Sequence, residues 1–511
     1  MLNIHENLSQ KLQIAPGSLY RSLVRWAELQ PAASCLVEVE SGRTLTYRQM
    51  LVAVNAMRLF LGDVPQTLVL SLPGGMINAV IWISALSGGH RLVPISPTAS
   101  EHEKRRVVDT YQPDVLFVEQ REDACHFSLL ETTVIVTLHT CEALIDPVAS
   151  SIVGCSLMQR EGHVCLTTSG TTGEPKGVVL RERQLAWTAE QVRRSHGLTT
   201  QDRGLTVLPF FHVNAPVVSL CSSILAGSAV VIARHFSRSQ FWSWVERYQV
   251  TWASLVPTIV AMLLSTEQPD FLPGTLRFVR TGSAPLPASD LRAFEARFGI
   301  PVIETYGLSE AASQVVANPV PPGKHKAGSA GLPVGVQLRI CVPRQNGEDA
   351  LTDVIPGEIG EICIAGPAVI TAYQNNAGQD SFQHGWFRSG DLGYLDADGY
   401  LFITGRLREV INRGGENIAP REIEEVLLQH PAVQEAAVVG RPDPLYGEQV
   451  VAYIVVREEW NEGVKQSLLA HARRYLSAYK VPIDFMSLDA LPRNATGKVE
   501  RKLLQDRERQ S

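Results

Sequence analysis

Leu166–Leu180 reads LTTSGTTGEPKGVVL, five hydroxyl side chains and three glycines around one lysine, set between two apolar runs. Small residues let the backbone come close to an anion. Exposed N–H groups and hydroxyls supply donors, and Lys176 supplies a compensating charge. The chemistry this suits is a grip on a polyphosphate. The spacing is not the Walker G-x-x-x-x-G-K-[ST], because Lys176 follows Glu174 and Pro175 and precedes Gly177. Both flanking runs look like strands, whereas a P-loop joins a strand to a helix, so a P-loop kinase or ATPase is disfavoured. Taken alone, the stretch also reads as a flexible Ser/Thr/Gly surface loop.

Four more polar stretches follow in order: ETYGLSE at 304–310, WFRSGDLGYLDADG at 386–399, GRLREVINRGGENIAPREIEEVL at 405–427 and LPRNATGKVERK at 491–502. Each has a plain structural reading as well. Asp391 can cap the turn in SGDLG, Asn417 can be a polar residue ahead of a helix, and Lys498 is one lysine in a basic tail. His212, in FFHVNAP, can be a satisfied core histidine. The ordered set of five resembles the adenylate-forming superfamily: acyl-CoA and aryl-CoA synthetases, adenylation domains of peptide synthetases, and beetle luciferases. The resemblance runs from about Leu45 to the end of the chain.

That resemblance implies a two-step reaction. A carboxylate attacks the α-phosphate of ATP and expels pyrophosphate; a thiol then attacks the acyl-adenylate and expels AMP. It implies ATP, Mg2+ and CoA, or the phosphopantetheine of a carrier protein, as cofactors or co-substrates. Thr168, Ser169, Gly170, Thr171, Thr172, Gly173 and Lys176 would cradle the β- and γ-phosphates, Glu310 would hold Mg2+, and Ser309 would face the α-phosphate. Tyr306 would stack on adenine beside a nucleotide wall of Gly282, Ser283 and Ala284, with Glu304, Thr305 and Gly307 in the same stretch. Asp391, assisted by Arg406, would take the ribose hydroxyls, with Asn417 a further nucleotide candidate. Lys498 would bridge carboxylate and phosphate. Arg408 would be a hinge, and Gly414-Gly415 would line the pantetheine tunnel. His212 would gate the junction of acyl and thiol tunnels, with Asn214, Arg280 and Ser283 as polar groups at the far end of the acyl pocket. Lys498, His212 and Glu310 are thus the catalytic candidates.

The acid is expected to be short and polar, with oxalate or another small dicarboxylate first to test. Glu304–Ile340 looks like oxalyl-CoA synthetases, as do FWSWVERYQVTWASLVPTI and INRGGENIAP. Two departures stand out: Gly307-Leu308 where those enzymes look to have Ala-Met, and RTGSAPL where they look to have a Ser-Cys-Ser run. Extra glycines would enlarge or reshape the pocket wall, which keeps a longer aliphatic or aryl acid as the alternative. A carrier-loading enzyme, a luciferase-like oxidase and a catalytically inactive scaffold are the competing functions. The last is disfavoured because the phosphate- and metal-facing positions keep usable chemistry.

The elements that must position these residues are legible in outline. A chain of 511 residues is too long for one core. Apolar runs such as TLVLSL, DVLFVE, VLPFFHV, AVVIA, WASLV and LRFVRTG alternate with helical patterns before Gly328, which predicts an α/β fold with helix-covered, mostly parallel sheets. Glycine-punctuated hairpins from Gly328 to Gly405 predict a small antiparallel, β-barrel-like subdomain. After Arg406 the pattern is that of a compact, mobile α+β domain. The expected organisation is therefore an N-terminal adenylation domain, 1–405, and a C-terminal domain, 406–511.

Two long uncharged stretches, from Thr67 and from Ala215, are interrupted at Pro73-Gly74-Gly75 and at Gly227; both read as buried strand and helix, with no membrane span. The eight cysteines form no CxxC pair and no zinc pattern, the N-terminus carries no secretory h-region, and the net charge of −6 offers no nucleic-acid face. A cytoplasmic enzyme with a small carboxylic acid as substrate is expected.

Overall fold

The computed structural model describes residues 15–129, 131–145, 161–168, 176–266, 274–343, 351–374, 378–493 and 498–510. Four sheets organise them. The largest is built around six parallel strands in the order Ser34–Glu38, Ala229–Ile232, Arg203–Thr206, Trp252–Leu255, Phe278–Thr281 and Val302–Leu308. Antiparallel strands Thr44–Thr46 at one edge and Ser313–Ala317 with Leu332–Pro333 at the other complete it. Its strands are short and almost wholly buried, as strands covered on both faces must be.

In the second sheet, Val134–Thr137, Val115–Val118, Thr67–Ser71, Arg91–Pro94 and His163–Thr168 run parallel. Lys176–Arg181 returns antiparallel to His163–Thr168, so the opening stretch closes a hairpin, with Lys176 opposite Thr168. Helices cover both sheets. Met76–Ser87 is buried along its whole length between them, and Asn214–Cys221 runs as a π-helix into Ser222–Ala226, which Gly227 stops in the left-handed region. Among the described residues no helix is long and apolar enough to cross a membrane.

The hairpins after Gly328 form a five-stranded antiparallel sheet of Gln337–Cys341, Gly360–Ala365, Trp386–Leu395, Phe382–Gln383 and Leu401–Arg406. The last sheet, with Ile411–Arg413, Glu416–Ile418, Val433–Asp443, Gly447–Val456 and Asp484–Ser487, packs on helices Pro420–Leu427, Glu462–Tyr475 and Arg501–Gln510. The apolar cores divide at the same place. The main cluster runs from Leu19 to Leu401, and the two of the C-terminal unit take up at Ile411 and reach Leu504. A large N-terminal and a smaller C-terminal domain are therefore separate hydrophobic units.

One expected strand is not one. VLPFFHV lies beyond the strand Arg203–Thr206 as a turn leading into the π-helix. Pro209 has no N–H to give a central ladder, and that excludes it from the interior of a parallel sheet. The consequence is functional, since the turn carries His212 to the carboxyl edge of the sheet.

Candidate active site

Open α/β sheets bind ligands beyond the carboxyl ends of their strands. Here the turns after Arg203–Thr206, Phe278–Thr281 and Val302–Leu308 bring His212, Ser283 and Glu310 to one edge. Backbone conformation is strained at this edge. Ser283, Ala312 and Ser313 are non-glycine residues in the left-handed region, at φ 71°, 55° and 97°.

The nucleotide candidates converge on Asp391. It pairs directly with Arg406 across an antiparallel ladder, and Arg406 Nε lies 3.1 Å from its Oδ1. Tyr306 Oη donates to Asp391 Oδ2 at 2.6 Å, and the buried tyrosine is held well above its ordinary range by desolvation and then by Asp391. Thr305 Oγ1 donates to Thr281 O at 2.8 Å and ties adjacent strands. Ser309 opens a short 3-10 turn that ends at Ala311 and presents Glu310. Tyr373 Oη donates to Glu310 Oε1 at 2.8 Å.

Lys498, from the C-terminal domain, stands among these groups. Burial lowers its ammonium, with Arg406 adding repulsion while Asp391 and Glu310 pull the other way. His212 feels Lys498 in turn: burial first and then that charge bring it to about 4, so the imidazole is neutral, and its buried Nε2 meets no hydrogen-bond partner among the described residues. The structure thus gathers Lys498, His212, Glu310, Tyr306, Asp391 and Arg406 from both domains. Arg408 sits beside Arg406 in the 3-10 turn Leu407–Glu409, exposed, between the two cores.

Other expected residues stand elsewhere. Glu304 turns its carboxylate to the backbone N–H groups of Gly328, at 3.0 Å, and Leu286, where it braces two loops. Gly414, Gly415 and Asn417 lie on the exposed hairpin of the C-terminal sheet, and Gly414 N donates to Tyr446 O at 2.7 Å. Asn417 is within a strand, not at a helix start. Gly307 does not enlarge the pocket: a Cβ there would lie 1.8 Å from Ser313 O, so close backbone approach already fills the space. Ala284 follows Ser283 in the turn after Thr281. Ser169, Gly170, Thr171, Thr172 and Gly173 lie outside the described residues, and of Thr168 and Lys176 only the backbone pairing is described.

Arg280 stands behind the acyl-pocket candidates. It is only 2% exposed, at the centre of the large sheet. Nη1 donates to Asn214 Oδ1 at 3.0 Å and to Ser254 Oγ at 3.2 Å, and Nε donates to Gln314 Oε1 at 3.4 Å. Asn214 Nδ2 then donates to Ser283 Oγ at 3.2 Å. Among the described residues, no acidic side chain forms an ion pair with Arg280. Burial alone pulls it down to about 9, which leaves it charged at neutral pH.

Sequence reasoning missed Tyr373, Ser254 and Gln314. Gln314 follows ETYGLSE by only four residues, the one local hint available; nothing local marks the other two.

A family model described as AMP-binding enzyme matches residues 23–374, and one described as AMP-binding enzyme C-terminal domain matches 422–498. A sulfoacetate–CoA ligase of Cupriavidus necator is 40% identical over 451 residues, covering 86% of this chain and 87% of its own length. An oxalate–CoA ligase of Arabidopsis thaliana is 39% identical over 67% of each chain. The structure of o-succinylbenzoate coenzyme A synthetase from Bacillus subtilis, in complex with ATP and magnesium ion, is similar at TM-score 0.81 and 31% identity, covering 95% of this chain and 99% of that one.

Proposed function

The chain belongs to the AMP-binding enzyme family, and from that premise we propose which acid it activates and which residues do the work. It is an ATP-dependent, AMP-forming acid–thiol ligase of the acyl-CoA synthetase type. A carboxylate oxygen attacks the α-phosphorus of ATP and the bond to pyrophosphate breaks. A thiol sulfur then attacks the acyl carbon and the bond to the AMP oxygen breaks.

In our reading Tyr306 and Asp391, with Arg406, orient the nucleoside, and Thr168–Gly173 with Lys176 hold the outer phosphates. Lys498 neutralises charge between the two reacting groups, where a preorganised cation acts most strongly. A hard cation takes one or two carboxylates plus phosphate oxygens, which fits Glu310, of which Tyr373 engages one oxygen. Mg2+ bound there would neutralise phosphate charge. The neutral His212 lines the junction of acyl and thiol paths. The relatives described above are CoA ligases, which supports free CoA over the phosphopantetheine of a carrier protein. We place the domain boundary between residues 405 and 406, with Arg408 as the hinge and the Gly414-Gly415 hairpin entering the site for the second step. A cytoplasmic location accords with this chemistry.

The acid is short and carries a second anionic group, a dicarboxylate or sulfocarboxylate. The buried, acid-free guanidinium of Arg280 carries this reading. A charge buried without a counter-charge is costly, and a substrate anion that pairs with it recovers that cost. Asn214 extends the polar chain from Arg280 to the exposed Ser283. The relatives named for sulfoacetate and oxalate act on acids of this class. The test is pyrophosphate release from a matched panel, oxalate and sulfoacetate against acetate, propionate and medium-chain acids, with CoA present and absent. A higher kcat/KM for the doubly anionic acids is expected; a medium-chain fatty acid exceeding all of them would overturn the reading of the acid and leave the ligase intact.

A further inference from the structure

The partners of Arg280 are chosen as much for what they lack as for what they offer. Gln314 is 2% exposed on the edge-side strand Ser313–Ala317. Its amide cannot turn over: Oε1 accepts from Arg280 Nε at 3.4 Å, and Nε2 donates to Ser195 Oγ at 3.3 Å. Ser195 Oγ donates its one proton to Val192 O at 3.3 Å and lies 3.0 Å from Nδ1 of the buried His196. A hydroxyl oxygen keeps lone pairs whichever way its own proton points, so Ser195 Oγ remains an acceptor for Gln314. The guanidinium is therefore oriented by groups that carry no charge. Nη2 has no recorded hydrogen-bond partner among the described residues, and it lies 3.2 Å from where a Cβ on Gly282 would sit. Thr305 Oγ1 lies nearer still, 2.8 Å from the same point, so the Thr305 hydroxyl and the guanidinium flank the bare backbone of Gly282 together.

We infer that Gln314 determines the charge class of the acid, because it holds Arg280 in place without neutralising it and so leaves its charge to the substrate's second anionic group. This rests on the doubly anionic acid proposed above. Glutamate has the same shape as glutamine and would set a carboxylate against the guanidinium. The site would then reject a second anion and accept an uncharged acyl end. Gln314 is a positioning residue, acting through Arg280.

The experiment compares wild type with Gln314→Glu, Gln314→Met and Asn214→Asp, measuring kcat/KM for oxalate and sulfoacetate against acetate and propionate, with the Kd for AMP as a check on the fold. In Gln314→Glu the ratio of doubly to singly charged acids is expected to fall about a hundredfold or more, with AMP binding unchanged. Gln314→Met, neutral and similar in length, should lower activity yet keep the wild-type order of acids. A merely structural role would depress all acids alike. If Gln314→Glu does not fold, Asn214→Asp sets a carboxylate against Nη1 and must shift the same ratio in the same direction. A wild type without preference for doubly charged acids refutes the acid assignment itself. A wild type with that preference, retained in a folded Gln314→Glu that binds AMP normally, refutes the role of Gln314 alone.

Discussion

Glu310 is where one hydroxyl makes a measurable difference. The Tyr373 ring is fixed by edge contacts with Phe382 and Phe387, with centroids at 5.6 and 6.4 Å, and its Oη holds one oxygen of the carboxylate. Groups that orient a metal ligand change metal affinity by about 10- to 100-fold when removed. Tyr373→Phe keeps the ring and removes the donor, so the Mg2+ concentration for half-maximal pyrophosphate release should rise about tenfold, while the KM for the acid stays within about twofold. A magnesium titration reads this directly, and an unchanged midpoint would show that Tyr373 only packs. Glu310→Gln should keep the fold and lose most of the rate, since a neutral amide cannot match a divalent ion.

At the scale of elements, the strand carrying ETYGLSE is braced by its first residue. Burial is the main cause that raises the Glu304 carboxyl to about 7; Gly328 N–H and Arg421 of the C-terminal domain pull it down, and Glu425 pushes it up. The folded state therefore binds this proton more tightly than the unfolded chain, where a glutamate titrates near its ordinary value. Stability from this group is fully present below about 4.5 and is lost as pH rises toward about 7. The whole change is on the order of 3 kcal/mol. Glu304→Gln removes the titration but keeps an acceptor for the backbone. Urea midpoints at pH 5 and pH 8 should differ less in this variant than in wild type; equal differences would show that the carboxyl is ionised throughout. That brace was not legible beforehand, because ETYG looked like nucleotide contact from end to end. The two strands that flank the glycine-rich stretch, His163–Thr168 and Lys176–Arg181, were legible, because short apolar runs are a local signal.

For the molecule as a whole, the arrangement fits the first half-reaction under the roles proposed above. Lys498 stands beside Asp391, Glu310 and His212, while Gly414 and Gly415 close an exposed hairpin of the same C-terminal domain. In the proposed alternation, the domain offers Lys498 to the first step and the hairpin to the second. Lys498→Ala should cut acyl-adenylate formation by about a hundredfold or more, the scale of removing one preorganised charge, and leave thioester formation from supplied acyl-adenylate largely intact. Gly415→Leu should do the reverse. Among the described residues nothing lies within 4 Å of a Cβ at Gly415, but its φ of 90° disfavours a side chain, so a melting curve must accompany the assay. Single-turnover rates for the two steps decide the matter: equal losses of both steps in each variant would end the alternation model.

The sequence by itself determined the order of the motifs and the parallel character of the two large sheets. These follow from patterns that repeat within a few residues: apolar periodicity, turn glycines and helix-starting prolines. It misplaced what depends on the distance between distant segments. VLPFFHV has the apolar content of a strand, yet its proline bars it from the ladder and makes it the turn that carries His212. Gly307 looked like a pocket-shaping change and is instead the seat of the Ser313 carbonyl. Only the tertiary structure decided that Arg280 meets no carboxylate among the described residues, that Gln314 reaches Ser195 across 119 residues of chain, and that Tyr373 holds Glu310 across 63. Each of these depends on which strands and turns become neighbours, and that is settled by burial of the whole sheet face, a sum over the molecule that no short window of sequence contains.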